Sequence, residues 1–233
     1  MQKVGEYWVP DVDMHWFRSR RKTLDNYQNG GHGTQIGHLQ QAIDQMVGLC
    51  GAQALGRSVA VDAGANVGAY ARRLSQHFAS VHALEPADDT HACLARNIGD
   101  WGLEARIHAH HKAISDQPGR VGMKPLGLFR RSISREVGGD GQIEAVTLDG
   151  LGLSEVLLIK LDVEGHEFKA LSGATDLLAR CRPFVMMELK ARKIAKGTAD
   201  LRAQQLLLDQ GYERIADLGE PVIDRLYAPK ERL

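Results

Sequence analysis

The amino-acid sequence predicts an α/β protein with a mostly parallel sheet and helices on both of its faces. Apolar segments rich in β-branched residues end in acidic or glycine-containing turns at 58–64, 80–86 and 156–165, a pattern typical of buried strands. Between them, apolar residues recur at helical spacing over 67–78 and 88–98. This alternation indicates parallel strands joined by helical crossovers, which bury both faces of a sheet.

The remaining elements follow from the same two patterns. Residues 1–33 are predicted to form an irregular N-terminal arm that packs on a single domain of residues 34–233. Residues 116–142 are rich in Gly, Arg and Ser and are predicted to form a hairpin or an ordered loop. The other predicted helices are 34–49, 166–181 and 198–210, and the other predicted strands are 105–115, 144–151 (a short strand and a turn), 184–189, 212–216 and 222–228.

Composition and charge are those of an ordinary soluble globular protein. The chain has 233 residues, of which 43% are hydrophobic, and this is enough for one α/β domain with a sizeable core. Lys and Arg together number 29, as do Asp and Glu, so the formal net charge is zero. A neutral chain has no general attraction for nucleic acid or for an anionic membrane.

Cysteine usage and the N-terminal segment indicate a cytoplasmic protein. Cys50, Cys93 and Cys181 form no CxxC pair, and an odd number argues against a complete disulfide framework, so we expect buried free thiols. The N-terminal segment has no apolar run followed by a small-residue cleavage site, and the sequence has no stretch of about 18 apolar residues. We therefore expect neither a signal peptide nor a membrane span, while a homo-oligomer stays open.

The segment VAVDAGANVG at 59–68 predicts a ligand-binding turn after a strand. It lacks the lysine of a P-loop, whose pattern is GxxxxGK[ST]. It also lacks the glycine spacing GxGxxG that lets a backbone approach a pyrophosphate, and Asp62 would add negative charge there. S-adenosylmethionine (SAM) suits this turn better, because a carboxylate suits its ammonium group and Gly64 would permit close approach.

Glu85 ends the next predicted strand, in the segment VHALEP. A carboxylate about 20 residues after a glycine turn accepts hydrogen bonds from ribose hydroxyls. The glycine turn, Glu85 and a third strand at the expected spacing together indicate an adenosyl site. The alternative is an α/β domain whose turns need glycine for structural reasons alone.

Several segments resemble, in order and spacing, the FkbM-type methyltransferases. The resemblance implies a class I, Rossmann-like methyltransferase fold, with a mostly parallel seven-stranded sheet and an antiparallel C-terminal strand. It also implies SAM-dependent methyl transfer, commonly to a hydroxyl of a sugar or another small molecule. Residues 1–33 and most of 120–140 lie outside the resemblance, so it does not identify the acceptor. The segments are VAVDAGANVGAY, VHALEP, KAISDQPG, TLDGL, LIKLDVEGHEFKALSGA, RPFVMMEL and the closing GYERIADLG…IDRLYAP.

The resemblance also implies which residues surround SAM. Its methionine half is expected to be lined by the glycine turn, its ribose by Glu85, and its adenine by residues at the end of the third strand. The implied residues are Asp62, Gly64, Ala65, Asn66 and Gly68 for the methionine half, Glu85 for the ribose, Pro86 at the border of the adenosine, and Lys112, Ala113 and Ile114 near the adenine.

Acidic residues and a histidine follow the apolar segment VLLIKL, where a parallel sheet places its ligands. Methyl transfer to a hydroxyl needs alignment of the two reactants and removal of a proton. We expect His166 or Asp162 to be the general base, with Glu164 and Glu188 orienting the acceptor. The alternative is that Glu164 and Glu167 stabilise a helix start while Asp162 only supports the cofactor.

The sequence contains two sets of residues that could bind a metal ion. Asp162 and Glu188 resemble the acidic positions that hold Mg²⁺ in catechol-type O-methyltransferases, and oxygen ligands suit Mg²⁺ or Ca²⁺, but a metal-free site is favoured. In HAHH, strand alternation places His108 and His110 on one face and His111 on the other. These histidines are expected to be strand surface rather than metal ligands.

Two segments are candidates for contacting the acceptor. In GLFRRSISR, Arg130 and Arg131 would hold an anionic acceptor, and Ser132 or Ser134 would orient it. In NYQNGGHGTQ, His32 would belong to a lid over the cofactor. An ordinary surface loop is the alternative for both segments, and the basic run at 18–22 is expected to be solvated.

The favoured function is therefore SAM-dependent O-methylation of a saccharide or small metabolite. One alternative is methylation of a nucleic-acid or protein group guided by the arginines. The other is a SAM-binding protein without turnover, against which the acids beyond the cofactor site argue.

Overall fold

The computed structural model describes residues 1–11, 35–125, 135–137, 139–190, 201–219 and 222–233. Strands and short helices alternate along most of this range. The strands are β1 (Gln2–Val4), β2 (Tyr7–Val9), β3 (Val59–Ala63), β4 (Ser80–Leu84), β5 (Ile107–His110), β6 (Ala113–Ile114), β7 (Gly119–Val121), β8 (Met123–Pro125), β9 (Arg135–Val137), β10 (Ile143–Val146), β11 (Val156–Leu161), β12 (Phe184–Lys190), β13 (Tyr212–Leu218) and β14 (Val222–Pro229). The α-helices are α1 (Gln35–Cys50), α2 (Ala52–Leu55), α3 (Ala69–Leu74), α4 (Asp88–Trp101), α5 (Glu167–Ser172), α6 (Thr175–Cys181) and α7 (Arg202–Asp209).

A seven-stranded sheet with the order β13-β14-β12-β11-β3-β4-β5 forms the centre of the molecule. Strand β14 runs antiparallel to both of its neighbours. The other neighbouring pairs are parallel. The predicted mostly parallel sheet of seven strands with an antiparallel C-terminal strand is thus confirmed.

Helices cover both faces of this sheet, as predicted. Helices α1, α3 and α4 pack on one face, where their apolar side chains meet Ala60, Leu158 and Met186. Helices α5, α6 and α7 pack on the other face, against Val61 and Ile159. Because a fully covered parallel strand is buried on both sides, β11 reads as the near-continuous apolar run VLLIKL.

Two predicted elements are each divided in two by the structure. The predicted strand 105–115 becomes β5, which is an edge strand of the large sheet, and β6, which pairs with β10 in a separate three-stranded sheet β6-β10-β7. The predicted helix 166–181 becomes α5 and α6, with Gly173 between them. A Cβ on Gly173 would lie 2.3 Å from the carbonyl oxygen of Ser115, so the chain must bend at a glycine to make this contact.

The side chain of Asp149, which lies outside α6, caps the N-terminus of that helix. Its carboxylate accepts hydrogen bonds from the backbone N–H groups of Asp176 and Leu177, at 3.1 and 2.7 Å. These N–H groups have no partner within the helix, so an external carboxylate acts as an N-cap. We expect Asp149→Ala to lower the free energy of unfolding by about 1–2 kcal/mol, measured by urea unfolding. Asp140→Ala, in an exposed loop, is the matched control, and an equal loss in both variants would contradict the capping role.

Residues 1–11 form a β1–β2 hairpin that packs on α4, where an irregular arm was predicted. Asn97 joins the hairpin to the turn after β3. Its side-chain oxygen accepts from the N–H of Trp8, and its Nδ2 donates to the carbonyls of Trp8 and of Val67, the latter at 2.8 Å. Asn97 is fully buried, so the hairpin and the glycine turn share one satisfied polar group.

Candidate active site

The candidate active site lies where the strand order reverses. The chain runs from β3 outward to β5 and then returns to place β11 on the other side of β3. The carboxyl ends of β3 and β11 are therefore neighbours, and open α/β sheets bind their ligands at such a switch point. Gly64 follows β3 here, and Asp162 follows β11.

The turn after β3, residues 64–68, has its backbone N–H groups occupied by hydrogen bonds within the protein. Gly64, Asn66 and Gly68 all have positive φ angles, of 79°, 51° and 95°. Each of its five backbone N–H groups donates to an acceptor within the protein. The acceptors are the carbonyl of Leu84 for Gly64 and Ala65, the carboxylate of Glu85 for Asn66, the side-chain oxygen of Asn66 for Val67, and the carbonyl of Ala65 for Gly68.

This pattern distinguishes the turn from a phosphate site. Phosphate-binding loops aim several backbone N–H groups at the anion. Here those groups are already occupied, so the turn offers no cradle for a phosphate or pyrophosphate. The glycine spacing argued against a nucleotide-phosphate ligand, and the hydrogen bonds of the turn support the same exclusion.

Burial separates the residues expected at the methionine half of SAM into two groups. Asp62, near the end of β3, is fully buried, and Ala65 is 3% exposed. Gly68 is buried as well, and a Cβ there would lie 2.7 Å from Leu94 on α4. These residues shape and pack the turn, whereas Gly64 and Asn66 keep exposed surface.

Gly64 also packs closely against the backbone after β11. A Cβ at this position would lie 1.9 Å from the carbonyl oxygen of Asp162. The α-hydrogen in the Cβ position therefore faces that backbone. The contact brings the two strand ends together at the switch point.

Glu85 is held against the glycine turn by two backbone N–H groups. Its Oε2 accepts from Asn66 at 3.0 Å, and its Oε1 accepts from Ala87 at 2.9 Å. A carboxylate has about four lone-pair sites, so it can accept more hydrogen bonds than these two. Pro86 follows, and its carbonyl lies 3.2 Å from Nε2 of His111.

Lys160 is a charged group within the buried strand β11, and the sequence analysis missed it. Its Nζ lies 3.0 Å from Oδ1 of Asp62 and 3.9 Å from Oδ2 of Asp162. It also donates to the carbonyl of Gly64 at 3.3 Å and lies 4.3 Å from the ring centre of Tyr70. The ammonium group thus touches the strand end, the glycine turn and the acid after β11.

The charges of Lys160 and Asp62 depend on each other. Burial alone would lower the pKa of Lys160, but the carboxylates of Asp62 and Asp162 outweigh it, and the pKa is raised. Burial raises the pKa of Asp62, against the opposing effect of Lys160. Lys160 therefore stays protonated, and the pair forms a buried cation–carboxylate contact.

A second buried pair lies on the same face of the sheet. Oδ2 of Asp224, on β14, lies 2.7 Å from Nδ1 of His38 on α1. Burial raises the pKa of Asp224, against the hydrogen bond from His38. Asp224 is the register partner of Glu188 on β12, so alternation along the strands places both on this face.

Burial separates these carboxylates into two groups. Asp62 and Asp224 are at most 4% exposed, and each faces a basic partner. The Asp162 side chain keeps 25% of its surface, and Glu188 is half-buried. Asp162 and Glu188 are therefore the acids that can face a ligand beyond β11 and β12.

The loop LDVEGHE has a strained backbone, and its side chains point in two directions. Glu164 and Gly165 have φ angles of 54° and 101°, which for glutamate is a costly conformation found often at functional sites. His166 turns to Ser115, whose Oγ lies 3.3 Å from its Nε2, on the side of α5. Glu167 accepts from the N–H of Gly165 at 3.1 Å, which supports its alternative role at the helix start.

The described residues contain no group of three or more His, Cys, Asp or Glu side chains arranged to hold a metal ion. Mg²⁺ is commonly bound through one or two carboxylates, with waters completing an octahedron, and Asp162 and Glu188 would supply two. The ammonium group of Lys160 lies 3.9 Å from Asp162. The metal-free site stays a prediction.

The expected adenine residues lie beside a cavity. Ala113 and Ile114 are buried in β6, and Lys112 extends to Glu144 on β10, with 2.8 Å between Nζ and Oε1. A cavity of about 500 Å³ next to them is bounded by His111 and by the strands β7, β8 and β10. The candidate acceptor residues Arg130, Arg131, Ser134 and His32 lie outside the described residues.

Comparison with known proteins identifies the family. The model of the methyltransferase FkbM domain matches residues 62–214, which include the glycine turn, Glu85, Lys160 and the loop after β11. The chain belongs to the FkbM methyltransferase family.

A curated relative is the hexuronic acid methyltransferase AglP from Haloferax volcanii. It is 29% identical over 152 residues, which cover 63% of this chain and 62% of the relative. The chain thus matches less than two thirds of that protein's length.

Solved structures support the fold of the FkbM domain. A methyltransferase FkbM from Methylobacillus flagellatus has a TM-score of 0.53 and 19% identity, covering 74% of this chain and 44% of that one. An rRNA methylase from Streptococcus thermophilus has a TM-score of 0.50 and 11% identity, covering 81% and 96%. At these identities the likeness concerns the fold alone, which is the class I, Rossmann-like one that the sequence predicted.

Buried free thiols were expected for the three cysteines. All three are free, but Cys93 alone is buried, while Cys50 and Cys181 are half-buried. Among the described helices, none has the length and apolar character needed to cross a bilayer.

His108 and His110 of HAHH form a cluster with His82 on β4. Nδ1 of His82 lies 3.0 Å from Nε2 of His110, and the His82 and His108 ring centres are 4.9 Å apart. Burial lowers the pKa of His82 to about 4, and the neighbouring His110 and His108 add to this. His111 instead pairs with Asp88 at 3.0 Å.

This cluster predicts a loss of stability in mild acid. The folded-state pKa of His82, about 4, is below the unfolded value of about 6.5. The unfolded chain therefore binds more protons between these values, and the stabilisation present above pH 6.5 is lost as pH falls towards 4. We expect His82→Gln to flatten the dependence of the unfolding free energy on pH over this range. His108→Gln, at the exposed side of the cluster, should flatten it less, and an unchanged slope in His82→Gln would contradict the assignment.

Proposed function

We propose that this protein transfers a methyl group from SAM to a hydroxyl of a saccharide or other small metabolite. The observation that carries this proposal is the turn after β3, whose five N–H groups are all used within the protein. Such a turn suits a ligand without phosphate. Membership of the FkbM methyltransferase family supports the same cofactor.

The charges at the switch point favour a cationic ligand. Asp162 and Glu188 keep exposed surface, whereas Asp62 is buried and its Oδ1 lies 3.0 Å from the ammonium group of Lys160. SAM, when bound, supplies a sulfonium whose methyl carbon is open to displacement by a nucleophile. A site with two partly exposed carboxylates would stabilise this cation and its ammonium group.

Asp162 is the stronger candidate for the general base. It lies at the switch point beside Lys160, while His166 faces Ser115 on the other side of the sheet. Asp162 would accept the hydroxyl proton as the acceptor oxygen bonds to the methyl carbon, the carbon–sulfur bond breaks and S-adenosylhomocysteine leaves. Glu188, on the neighbouring strand, would orient the acceptor, and Glu164 would contribute from the strained loop.

The saccharide class comes from the curated relative. A hexuronic acid methyltransferase matches 63% of this chain at 29% identity, so a sugar acid is the first acceptor to test. Arg130, Arg131, Ser134 and His32 remain candidates for holding it.

The proposal is tested by incubating the purified protein with methyl-labelled SAM and a panel of acceptors. Hexuronic acids, neutral sugars, tRNA, rRNA and a protein pool would each be offered. We expect label in a hydroxyl of a saccharide or small metabolite. Label in RNA or protein, or SAM binding without transfer to any acceptor, would contradict the proposal and favour one of the two alternatives.

A further inference from the structure

Lys160 has contacts that a purely apolar strand would not need. It is 4% exposed, and its side chain lies between two strand ends that are far apart in sequence. Because desolvating an ammonium costs several kcal/mol, a lysine here must be held by compensating groups. Those groups are Asp62, Asp162, the carbonyl of Gly64 and the ring of Tyr70.

These contacts join the two halves of the candidate site. Asp62 lies near the end of β3, and Gly64 begins the turn after it, which we assign to the cofactor. Asp162 follows β11 and is our candidate for the general base. Lys160 is the register partner of Asp62, so its Nζ reaches both sides from a fixed backbone position.

We propose that Lys160 is a positioning residue that fixes Asp162 relative to the glycine turn. This inference rests on the proposed function. The ammonium group neutralises Asp62, holds the Gly64 carbonyl at 3.3 Å, and attracts the Asp162 carboxylate from 3.9 Å. Asp162 then keeps the orientation in which it accepts a proton from the acceptor, and the turn keeps the shape that admits the cofactor.

A simple structural role would require less than this. Neutralising Asp62 needs only the 3.0 Å contact, and an apolar pair of similar volume would serve stability as well or better. The additional contacts with Gly64 and Asp162 are what the positioning role uses. The two roles can therefore be separated by removing both charges of the pair.

The test compares Lys160→Met with the double variant Asp62→Leu/Lys160→Met. The single variant leaves Asp62 buried without its cation, so it is expected to be poorly folded. The double variant removes both charges, and its melting temperature should return close to that of the wild type. Lys169→Met is the matched control, since Lys169 also lies 3.9 Å from a carboxylate, that of Asp116, but is half exposed.

In the folded double variant we expect kcat to fall at least about tenfold while the acceptor KM changes less than about threefold. A misplaced base reduces the stabilisation of the transition state but not the binding of the ground state. The value of kcat therefore falls while KM changes little. The control should keep the wild-type kcat. A folded double variant with wild-type kcat would overturn the inference, whereas a wild-type protein that transfers no methyl group would instead contradict the proposed function on which it rests.

Discussion

Gly64→Ala is expected to destabilise the protein by about 3–5 kcal/mol and to abolish SAM binding. Two independent effects combine at this position. The φ angle of 79° disfavours any residue with a Cβ, and the added Cβ would lie 1.9 Å from the carbonyl oxygen of Asp162. Since that oxygen belongs to the backbone, the ends of β3 and β11 would have to separate. Urea unfolding and calorimetric titration with SAM measure the two losses.

Gly102→Ala is the matched control for this substitution. Gly102 has a φ angle of 65°, but no atom lies within 4 Å of the position of its Cβ. It should cost only about 1 kcal/mol and leave SAM binding unchanged. Similar losses in the two variants would mean that the contact between Gly64 and Asp162 contributes nothing.

Asp162→Asn is expected to lower kcat by about 10²–10⁴-fold while SAM affinity stays within severalfold of the wild type. The amide cannot accept the proton of the acceptor hydroxyl, but it keeps the size of the carboxylate beside Lys160. Asp209→Asn, at an exposed position on α7, controls for the substitution. Single-turnover methyl transfer with the identified acceptor would measure the chemical step.

His166→Ala distinguishes the two candidate bases. Its ring faces Ser115 at 3.3 Å rather than Asp162, so we expect a smaller loss of kcat than in Asp162→Asn. A greater loss in His166→Ala, with Asp162→Asn retaining turnover, would reverse the assignment of the base.

The main sheet was predictable because a strand that is buried on both faces is a near-continuous apolar run in the sequence. The run VLLIKL could only be a central strand or a buried helix, and its short length and its neighbouring turns favour the strand. The bend at Gly173 was not predictable, since it depends on contact with Ser115, far away in sequence. The same holds for the β1–β2 hairpin, whose short strands are stabilised by Asn97 on α4.

The placement of the candidate site residues at strand ends was predictable from the sequence, but the burial of each residue was not. The glycine turn and the loop LDVEGHE were expected at strand ends, and parallel strands bring such ends together. Burial of Asp62 could not be deduced, because it depends on pairing with Lys160 across two strands. A lysine in an otherwise apolar strand was the available signal for that pair, and it points to a buried carboxylate.

The central claim is that the turn after β3 and Glu85 bind SAM, and calorimetric titration of the cofactor-stripped protein tests it most directly. We expect one SAM to bind per chain, NAD⁺ not to bind, and Glu85→Gln to weaken SAM binding by roughly 10- to 100-fold, the cost of a hydrogen bond to a charged group. Glu104→Gln, at an exposed position before β5, should bind SAM as the wild type does. A folded protein that binds NAD⁺ and not SAM would contradict the account.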